Sequence, residues 1–308
     1  MKRFIVILGI IYICFIGCVE TDQVDVVEEK SIPDELKYLG MNASQEAQSF
    51  AEDLMLLKYE AQNCLTISKD LKNIYYGVYN HDLSINQVYR VTFEVDWSDP
   101  ILFDPFNDKS VSIDAPFHSP DGKRLYFLAR YPLDESNEYH ETLYYLEDSQ
   151  LVKLDIFDEY GLHMQFSVAD DYSLYFKSKH EDGLGESDIW FSPYEDGEYL
   201  KPLSLSNSVN TEANEMTPYI SPDQSYLLFS RNKHSDGFGG ADLYISFKDD
   251  RGQWQEATNL GDKINSYGHE TCPIISPDGQ YLFFNSSKSS RFIVYWMSLE
   301  GIGLIDHR

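Results

Sequence analysis

Two asparagine–glutamate pairs have the residue types and the spacing of a small binding site. Asn210 lies five residues before Glu215, and Asn265 lies five residues before Glu270. A carboxylate and an amide at this spacing can bind the polar groups of a ligand, or they can cap the free backbone amides of a loop. On spacing alone, both roles stay open.

Two other segments match almost residue for residue and combine acidic residues with glycine. Residues 179–185 precede Asp188, and residues 233–239 precede Asp242. Calcium needs six or more oxygen ligands. Each segment offers only two or three carboxylates and lacks the alternating-ligand pattern that ends in glutamate. We interpret both as turns, and we predict no metal site and no cofactor.

Sequence motifs of common enzyme classes are absent from the chain. It contains no Gly-x-Ser-x-Gly elbow, no His-Glu-x-x-His pair, no phosphate-binding glycine loop and no paired-cysteine metal motif. The sequence therefore predicts no catalytic residues.

The candidate residues belong to a repeat of about 50 residues. Ser-Pro-Asp-Gly, followed two residues later by an apolar and aromatic triplet, begins at Ser119 and Ser276, and a copy with Gln in the fourth place begins at Ser221. Eroded copies begin at Ser68 and, with one extra residue, at Ser167.

Each repeat contains a tight turn that joins its first and second strands. Proline sets φ, aspartate accepts backbone hydrogen bonds and glycine adopts positive φ. The residues predicted to be structural in these turns are Asp121, Gly122, Asp223, Asp278 and Gly279.

Each repeat predicts four strands, which is typical of a β-propeller blade. Pro116, Pro218 and Pro273 precede the turn serines by three residues. Because proline removes a hydrogen bond from the ladder, it favours an edge strand, and we place this strand beside a central channel. The apolar triplet is the second strand, and weaker fourth strands are predicted at 151–154, 199–203 and 254–260.

The predicted fold is all-β, a β-propeller of about five four-stranded blades. The last repeat ends after its third strand, and residues 46–57 precede the first repeat without a blade of their own. This N-terminal segment is therefore predicted to supply the outer strand of the last blade and close the ring. Six blades are the alternative, if residues 89–106 contain another hairpin.

In a ring of blades, both asparagine–glutamate pairs precede an inner strand and lie near one mouth of the channel. The positions that match the glutamate in the other repeats hold Gln62, Ile113 and Gly161. Because no complete acidic ring forms, bracing of the loops is favoured over a ligand site.

Cys64 and Cys272 each lie four residues before the serine of their repeat. The first and last blades are neighbours in a closed ring, so the two thiols lie at the same height. A disulfide needs Cα atoms within about 7 Å. Adjacent inner strands can be farther apart, and two buried free thiols are therefore favoured over a bridge.

The Ser-Pro-Asp-Gly turn with its Leu-Tyr-Phe triplet resembles the WD40-like PD40 repeat of the periplasmic Tol-system propeller protein. Residues 239–244, with Trp254, Asn259, Ile264 and Pro273, are similar to PD40 lipoproteins of Bacteroidetes. The resemblance covers about residues 35–300. It implies a propeller in the cell envelope but no particular reaction, because one fold carries many functions.

The N-terminus has the three parts of a lipoprotein signal peptide, which we assign to residues 1–17. Basic residues precede the uncharged run 4–16, which is too short to span a bilayer. Gly17-Cys18 then resembles the lipobox of bacterial lipoproteins, with Phe15 where the family usually carries an aliphatic residue. The resemblance implies lipid attachment at Cys18, and a plain secretory signal is the alternative. Residues 18–34 form an acidic tether, and residues 35–308 form the propeller.

The net charge of −27 disfavours nucleic acid and anionic lipid headgroups as partners. We predict a non-catalytic lipoprotein of the bacterial cell envelope, held at the outer membrane by its lipid alone. It would bind an envelope protein or a glycan, or act as a scaffold. The alternative is a carbohydrate-active lyase or hydrolase that uses carboxylates at the channel mouth.

Overall fold

A computed structural model of the protein describes residues 44–51, Met55, and residues 62–94, 96–131, 141–154, 162–232, 234–289 and 291–301. The predicted signal peptide, Cys18 and the acidic tether lie outside these ranges. Among the described residues, no helix has the length and apolar character needed to cross a membrane.

Strand β1 (Gln48–Ser49) comes first in the chain, and five antiparallel four-stranded sheets form the blades. Blades 1 and 2 contain, from the inner edge outward, β2 (Gln62–Ile67), β3 (Asn73–Asn80), β4 (Ile85–Thr92) and β5 (Ile101–Phe103), then β6 (Ser112–His118), β7 (Leu125–Arg130), β8 (Glu141–Glu147) and β9 (Gln150–Leu154). Blade 3 contains β10 (Leu162–Val168), β11 (Leu174–Ser178), β12 (Asp188–Ser192) and β15 (Leu203–Ser204), with a side ribbon of β13 (Tyr194–Glu195) and β14 (Glu198–Tyr199). Blades 4 and 5 contain β16 (Asn214–Ile220), β17 (Tyr226–Asn232), β18 (Ala241–Phe247) and β19 (Thr258–Asn259), then β20 (Glu270–Ile275), β21 (Tyr281–Ser286), β22 (Ile293–Ser298) and β1. A 3-10 turn (Leu299–Gly301) follows.

The inner strands β2, β6, β10, β16 and β20 contact one another in ring order and surround the channel. Each is an edge strand of its sheet, so the position predicted from the prolines is confirmed. A bulge interrupts each inner strand, and the residues before the prolines, Ala115, Thr217 and Cys272, have φ near +50°. Bulges bend a strand, and these bends lie at the narrowest part of the channel.

The predicted turn chemistry is present between the first and second strands. Ser119 Oγ donates to Asp121 Oδ1 at 2.7 Å and accepts from Arg124 N at 2.9 Å. Gly122 and Gly279 have φ of +79° and +72°, a region that glycine enters at little cost. The turns therefore set the register of each hairpin.

The third repeat has a different alignment from the one predicted. Its turn begins at Ala169, not Ser167, because Tyr172 N donates to Ala169 O and Ala169 N donates to Ser173 O. The turn is one residue shorter than the others, whereas the bulge in β10 is one residue longer. The two changes compensate, so the blade keeps its place in the ring.

The apolar core lies between the blades. Side chains of a strand alternate between the two faces of its sheet, and a neighbouring blade covers each face. The second strands are therefore buried on both faces, as in Leu125–Arg130, where Tyr126 and Phe127 are fully buried. The high aromatic content is used in these contacts.

The N-terminal strand closes the ring, as predicted. In β1, Gln48 pairs with Trp296 and Ser49 pairs with Tyr295 of β22. Phe50 follows and packs edge-on against Phe283, with ring centroids 4.9 Å apart. Blade 5 is thus built from both ends of the described chain.

The alternative of six blades is wrong. Residues 89–106 contain the end of β4 and all of β5, which are the third and fourth strands of blade 1. Fourth strands occur within or overlap the three predicted segments. In blade 3, however, Tyr199 belongs to the side ribbon, and only Leu203–Ser204 completes the sheet.

Cys64 and Cys272 form a disulfide, so the favoured interpretation of two free thiols is wrong. Their Cα atoms are 5.2 Å apart, because the inner strands of blades 1 and 5 approach closely where a bulge interrupts each of them. The bridge joins residues 208 positions apart and covalently closes the ring between blades 5 and 1.

We expect loss of this disulfide to lower the free energy of unfolding by about 2–5 kcal/mol, because the bridge restricts a very long loop of the unfolded chain. Urea unfolding of Cys64→Ser/Cys272→Ser against the unsubstituted protein, both beginning at residue 19, measures the loss. Reduction of the unsubstituted protein is the matched control and should reproduce it. Two reactive thiols in the unfolded, unreduced protein would contradict the bridge.

Candidate functional site

The channel opens into a cavity of about 370 Å³ at the end where the repeat turns lie, which we call the turn-end cavity. Blades 1, 2, 4 and 5 line it with the ends of their inner strands and with their turns. A concave space at the axis of a propeller is the expected place for a ligand, because several blades can contribute to one site.

The wall of the turn-end cavity is largely apolar. Ile67, Phe117, Tyr219 and Ile274 come from four inner strands. Three prolines of the turns form part of the rim: Pro120, Pro222 and Pro277. The turn that shapes each hairpin therefore also supplies an apolar edge to the cavity.

A few polar side chains accompany this wall. Lys69, Asp223 and Asp278 lie in the turns at the mouth, and His118 lies at the end of β6. Burial raises the pKa of Asp223, but hydrogen bonds from Ser225 and Ser221 outweigh it and hold the pKa below its ordinary value. The mouth thus combines both charge signs around an apolar interior.

His118 is a polar cavity residue that could not be recognised as a candidate from the sequence motifs. Both of its ring nitrogens are buried without a hydrogen-bond partner among the described residues, and burial lowers its pKa to about 4. A comparison of the repeats would have singled it out. The residue before the turn is apolar in the other blades, namely Ile67, Val168, Ile220 and Ile275, and histidine only here.

The predicted turn residues are used in the turns themselves. Asp121 Oδ1 accepts from Ser119 and from Lys123 N, and its Oδ2 accepts from Tyr172 of blade 3 at 2.6 Å. Asp278 Oδ1 accepts from Ser276 at 2.6 Å. Only Asp223, Asp278 and Gly279 among the five predicted turn residues also line the cavity.

The two asparagines lie at the opposite end of the propeller and are buried. Asn210 accepts from Ile189 N and donates to Ile189 O, both at 2.9 Å. Asn265 makes the same pair of bonds to Leu243, at 2.7 and 3.0 Å. Each asparagine therefore ties the connection between two blades to the third strand of the preceding one.

The two glutamates are fully buried in the same connections. Glu215 accepts from Thr211 N and Oγ1 and from Arg231 Nε, the last at 2.9 Å. Burial raises the pKa of Glu215, while the bonds from Thr211 and the charge of Arg231 oppose that rise. Glu270 accepts from Ser266 and Ser286. These are the contacts of loop bracing, and neither glutamate lines an axial cavity.

The matching position in blade 3 was assigned to the wrong residue. Leu162 pairs with Ser178 as Glu215 pairs with Arg231 and Glu270 with Ser286, so Leu162 replaces Gly161 in the comparison. The assignment failed because of the shifted third turn.

A smaller cavity of about 220 Å³ occupies the other end of the channel and is lined by Gln62, Asn63, Tyr79, Gln165, Thr271, Cys272 and Phe292. Between the two lies a narrow space of about 30 Å³, bordered by Pro116, Pro218, Pro273 and the disulfide. That is room for one or two water molecules. The two ends of the channel are therefore separate sites.

Asp114 is a buried carboxylate between blades 1 and 2. Asn63 Nδ2 donates to both of its oxygens, at 3.1 and 3.0 Å, and Asn86 Nδ2 donates at 2.8 Å. Burial raises the pKa of Asp114 to about 7, although Ala115 N and Asn63 oppose the rise. We therefore expect the junction of the two blades to respond to pH.

The two matching loops, 179–185 and 234–239, are organised around a single aspartate each. Asp188 and Asp242 accept hydrogen bonds from the backbone of their own loops. Within the described ranges, no three His, Cys, Asp or Glu side chains are grouped so that they could hold a metal ion.

Comparisons with known proteins agree on the fold. No family model and no curated protein matches the chain. Among solved structures, TolB from Acinetobacter baumannii is 16% identical with a TM-score of 0.50, and the alignment covers 79% of this chain and 53% of that one. The chain is a five-bladed β-propeller with a TolB-like fold. Because the alignment covers 53% of TolB, the chain spans about half the length of that protein.

Two glycosidases share the architecture. The endo-arabinase from Bacteroides thetaiotaomicron VPI-5482 is 15% identical with a TM-score of 0.53, over 80% of this chain and 95% of that one. A thermostable family-43 glycoside hydrolase is 14% identical with a TM-score of 0.50, over 74% and 86%. Identities this low establish the propeller fold alone.

We expect Glu215→Ala to lower the free energy of unfolding by about 3–5 kcal/mol, because Arg231 would be left buried without its counter-ion. Replacing both Glu215 and Arg231 by methionine should lower the free energy of unfolding by less than the sum of Glu215→Met and Arg231→Met, since no buried charge remains in the double variant. Urea unfolding measures both effects. Glu212→Ala, an exposed glutamate of the same connection, is the control. A loss below about 1 kcal/mol for Glu215→Ala, the range of an exposed ion pair, would contradict the bracing role.

We expect Asp114 to make stability fall as pH rises from about 4 to about 7. The folded state holds a proton there that the unfolded state has released, so the free energy of unfolding loses up to about 1.4 kcal/mol per pH unit. Asp114→Asn removes this dependence. Urea unfolding between pH 4.5 and 8, about the range of the shift, should show the variant gaining on the unsubstituted protein. For the control Asp108→Asn, at an exposed site, the free energy of unfolding should change with pH in parallel with that of the unsubstituted protein. A constant offset for Asp114→Asn would disprove the titration.

Proposed function

We propose that this propeller is a non-catalytic binding module of the bacterial cell envelope, anchored by a lipid on Cys18, which receives a protein segment in the turn-end cavity. The observation that carries the proposal is the apolar wall of Ile67, Phe117, Tyr219 and Ile274 around a space of about 370 Å³. Burial of apolar side chains is the main driving force of protein association.

The arrangement of polar groups supports a protein segment as the ligand. Binding sites are mostly apolar, with a few polar groups that orient the ligand. Here Asp223, Asp278 and Lys69 stand at the mouth while His118 lies deeper. An extended segment could place apolar side chains on the wall and its own polar groups at the mouth.

The carboxylates that the sequence analysis singled out also support binding over catalysis. Glu215 and Glu270 are fully buried and accept hydrogen bonds from their own loops and strands. They stabilise the connections between blades, and their replacement would act on stability.

A carbohydrate-active enzyme is the second candidate, because Asp223 and Asp278 lie in one cavity together with His118. Glycoside hydrolysis commonly uses two carboxylates on either side of the bond that breaks. In that case the ligand would be a glycan, and the two aspartates would act on it.

We expect a photo-crosslinking amino acid at Tyr226, in the cavity, to give a discrete crosslinked product in cells, identified by mass spectrometry. The same group at Leu203, exposed on the outer strand of blade 3, is the matched control and should give none. Ile274→Glu, which places a charge in the apolar wall, should abolish the product. Identical products at both positions, or none at Tyr226, would refute binding in this cavity.

The other parts of the proposal have separate measurements. Release of soluble sugar from envelope glycans, lost in Asp223→Asn/Asp278→Asn, would establish the enzyme instead. The mass of the mature N-terminus tests the anchor, and an unmodified terminus at a residue other than Cys18 would exclude it.

A further inference from the structure

The two similar loops display an apolar side chain at the end of the propeller opposite the turns. We call residues 179–187, between β11 and β12, and residues 234–240, between β17 and β18, the tip loops. Leu184 in the first is 48% exposed, and Phe238 at the equivalent position in the second is 49% exposed. Singly exposed apolar side chains are common on protein surfaces, and a binding role is inferred where several are exposed together within a polar rim.

A buried carboxylate fixes the backbone of each exposed apolar residue. Asp188 Oδ2 accepts from Leu184 N at 2.8 Å, and Asp242 Oδ2 accepts from Phe238 N at 3.0 Å. The two aspartates are 1% and 2% exposed. The backbone of each apolar tip residue is therefore fixed from inside the protein while its side chain stays in solvent.

This arrangement costs stability in several ways. Burial raises the pKa of both aspartates, and their Oδ1 atoms are buried with no hydrogen-bond partner among the described residues. The path also demands glycine, because a Cβ at Gly183 would lie 2.1 Å from Asp188 Oδ2 and one at Gly237 would lie 2.5 Å from Asp242 Oδ2. Each tip loop thus holds an exposed apolar side chain on a backbone that is fixed before any partner binds.

A third exposed side chain adjoins the second tip loop. Tyr267, in the connection between blades 4 and 5, is 77% exposed. Gly240 N donates to Gly268 O at 2.7 Å, and a Cβ at Gly239 would lie 2.6 Å from the carbonyl carbon of Tyr267. Phe238 and Tyr267 thus stand on two loops in direct contact, and the Tyr267 hydroxyl is held by the carbonyl of Lys288.

The charges around these side chains are mainly negative. Exposed acidic residues on the tip loops and the adjoining connections are Glu181, Asp182, Glu186, Glu212, Asp236 and Asp262, and they outnumber the exposed lysines of the same segments, Lys179 and Lys263. Such a rim attracts lysine and arginine and repels anionic lipid headgroups. The chemistry therefore favours a basic protein partner over a membrane surface.

Among the described residues, the chain begins at the end opposite the tip loops. Ser298 N donates to Ser44 O at 3.0 Å, where β22 ends, so the first described residue lies at the turn end. The tip loops lie at the other end of the strands. A partner bound to them would therefore not occupy the turn-end cavity.

We propose that Phe238 and Tyr267 are the centre of a second docking surface, with Leu184 at the equivalent position of the neighbouring blade, which binds a protein segment carrying apolar side chains flanked by lysine or arginine. Aromatic anchors that are already fixed before binding lose little entropy, and they carry much of the affinity of protein interfaces. The buried aspartates are positioning residues that provide this preorganisation.

The test is selection of short random peptides displayed on phage against the folded protein at about 150 mM salt, where long-range charge effects are screened. We expect enriched peptides to combine Leu, Ile, Phe or Trp with Lys or Arg. Fluorescence anisotropy with the best synthetic peptide should show affinity falling about tenfold or more in Phe238→Ser and in Tyr267→Ser, the loss of one good anchor. Leu203→Ser, equally exposed on an outer strand, should leave it within about twofold, a fraction of one anchor.

Three outcomes would overturn the proposal. They are no enrichment, enrichment of acidic peptides, and peptide affinity that is unchanged in both Phe238→Ser and Tyr267→Ser. Vesicles of phosphatidylcholine and phosphatidylglycerol are the probe for a lipid surface, and binding to them that depends on Phe238 would assign this face to a membrane instead.

The positioning role has its own readout. Asp242→Ala keeps Phe238 but removes its backbone anchor, so we expect faster hydrogen exchange at the amides of Phe238 and Gly239 together with weaker peptide binding. Asp262→Ala, which removes an exposed charge beside the same surface, should leave exchange at those amides unchanged. Unchanged exchange in folded Asp242→Ala would refute the positioning role. If Asp242→Ala does not fold, Phe238→Ser still tests the docking surface.

Discussion

Closure of the ring between blades 5 and 1 is the constraint on which the rest of the structure depends. Each blade buries both faces against its neighbours, so an open ring would expose two sheets. Closure rests on two residue pairs of β1, the packing of Phe50 against Phe283, and the disulfide between Cys64 and Cys272. The channel and its cavities exist only because these contacts hold.

The two ends of the closed ring have different chemistry because different connections meet there. Short turns rich in proline and aspartate surround the turn-end cavity, whose interior is apolar. Longer loops, braced from within by Asn210, Asn265 and buried carboxylates, form the other end. The narrow middle of the channel separates the two, so one scaffold can serve two partners.

The repeat could be predicted from the sequence because its determinants are local. Proline, aspartate and glycine each restrict the backbone within a few residues, and they fixed four of the five turns correctly. The third repeat was misaligned because Ala169 replaces serine and a shorter turn is offset by a longer bulge. The disulfide was missed because the spacing of inner strands depends on the whole ring. Contacts such as Glu215 with Arg231 join separate strands, and the cavity wall collects residues from four blades, so neither is visible in a linear pattern.

The construction of blade 5 from both ends of the chain has a kinetic consequence. Strand β1 meets its partner only after almost 250 further residues have been made, since Gln48 pairs with Trp296. Pairings this distant are slow to form, because the entropy of a long loop is lost before the contact gives anything in return. After synthesis and before β1 pairs with it, the outer edge of β22 is unpaired and can pair with a strand of another chain. The late closing step is therefore the period in which newly made protein is most exposed to aggregation.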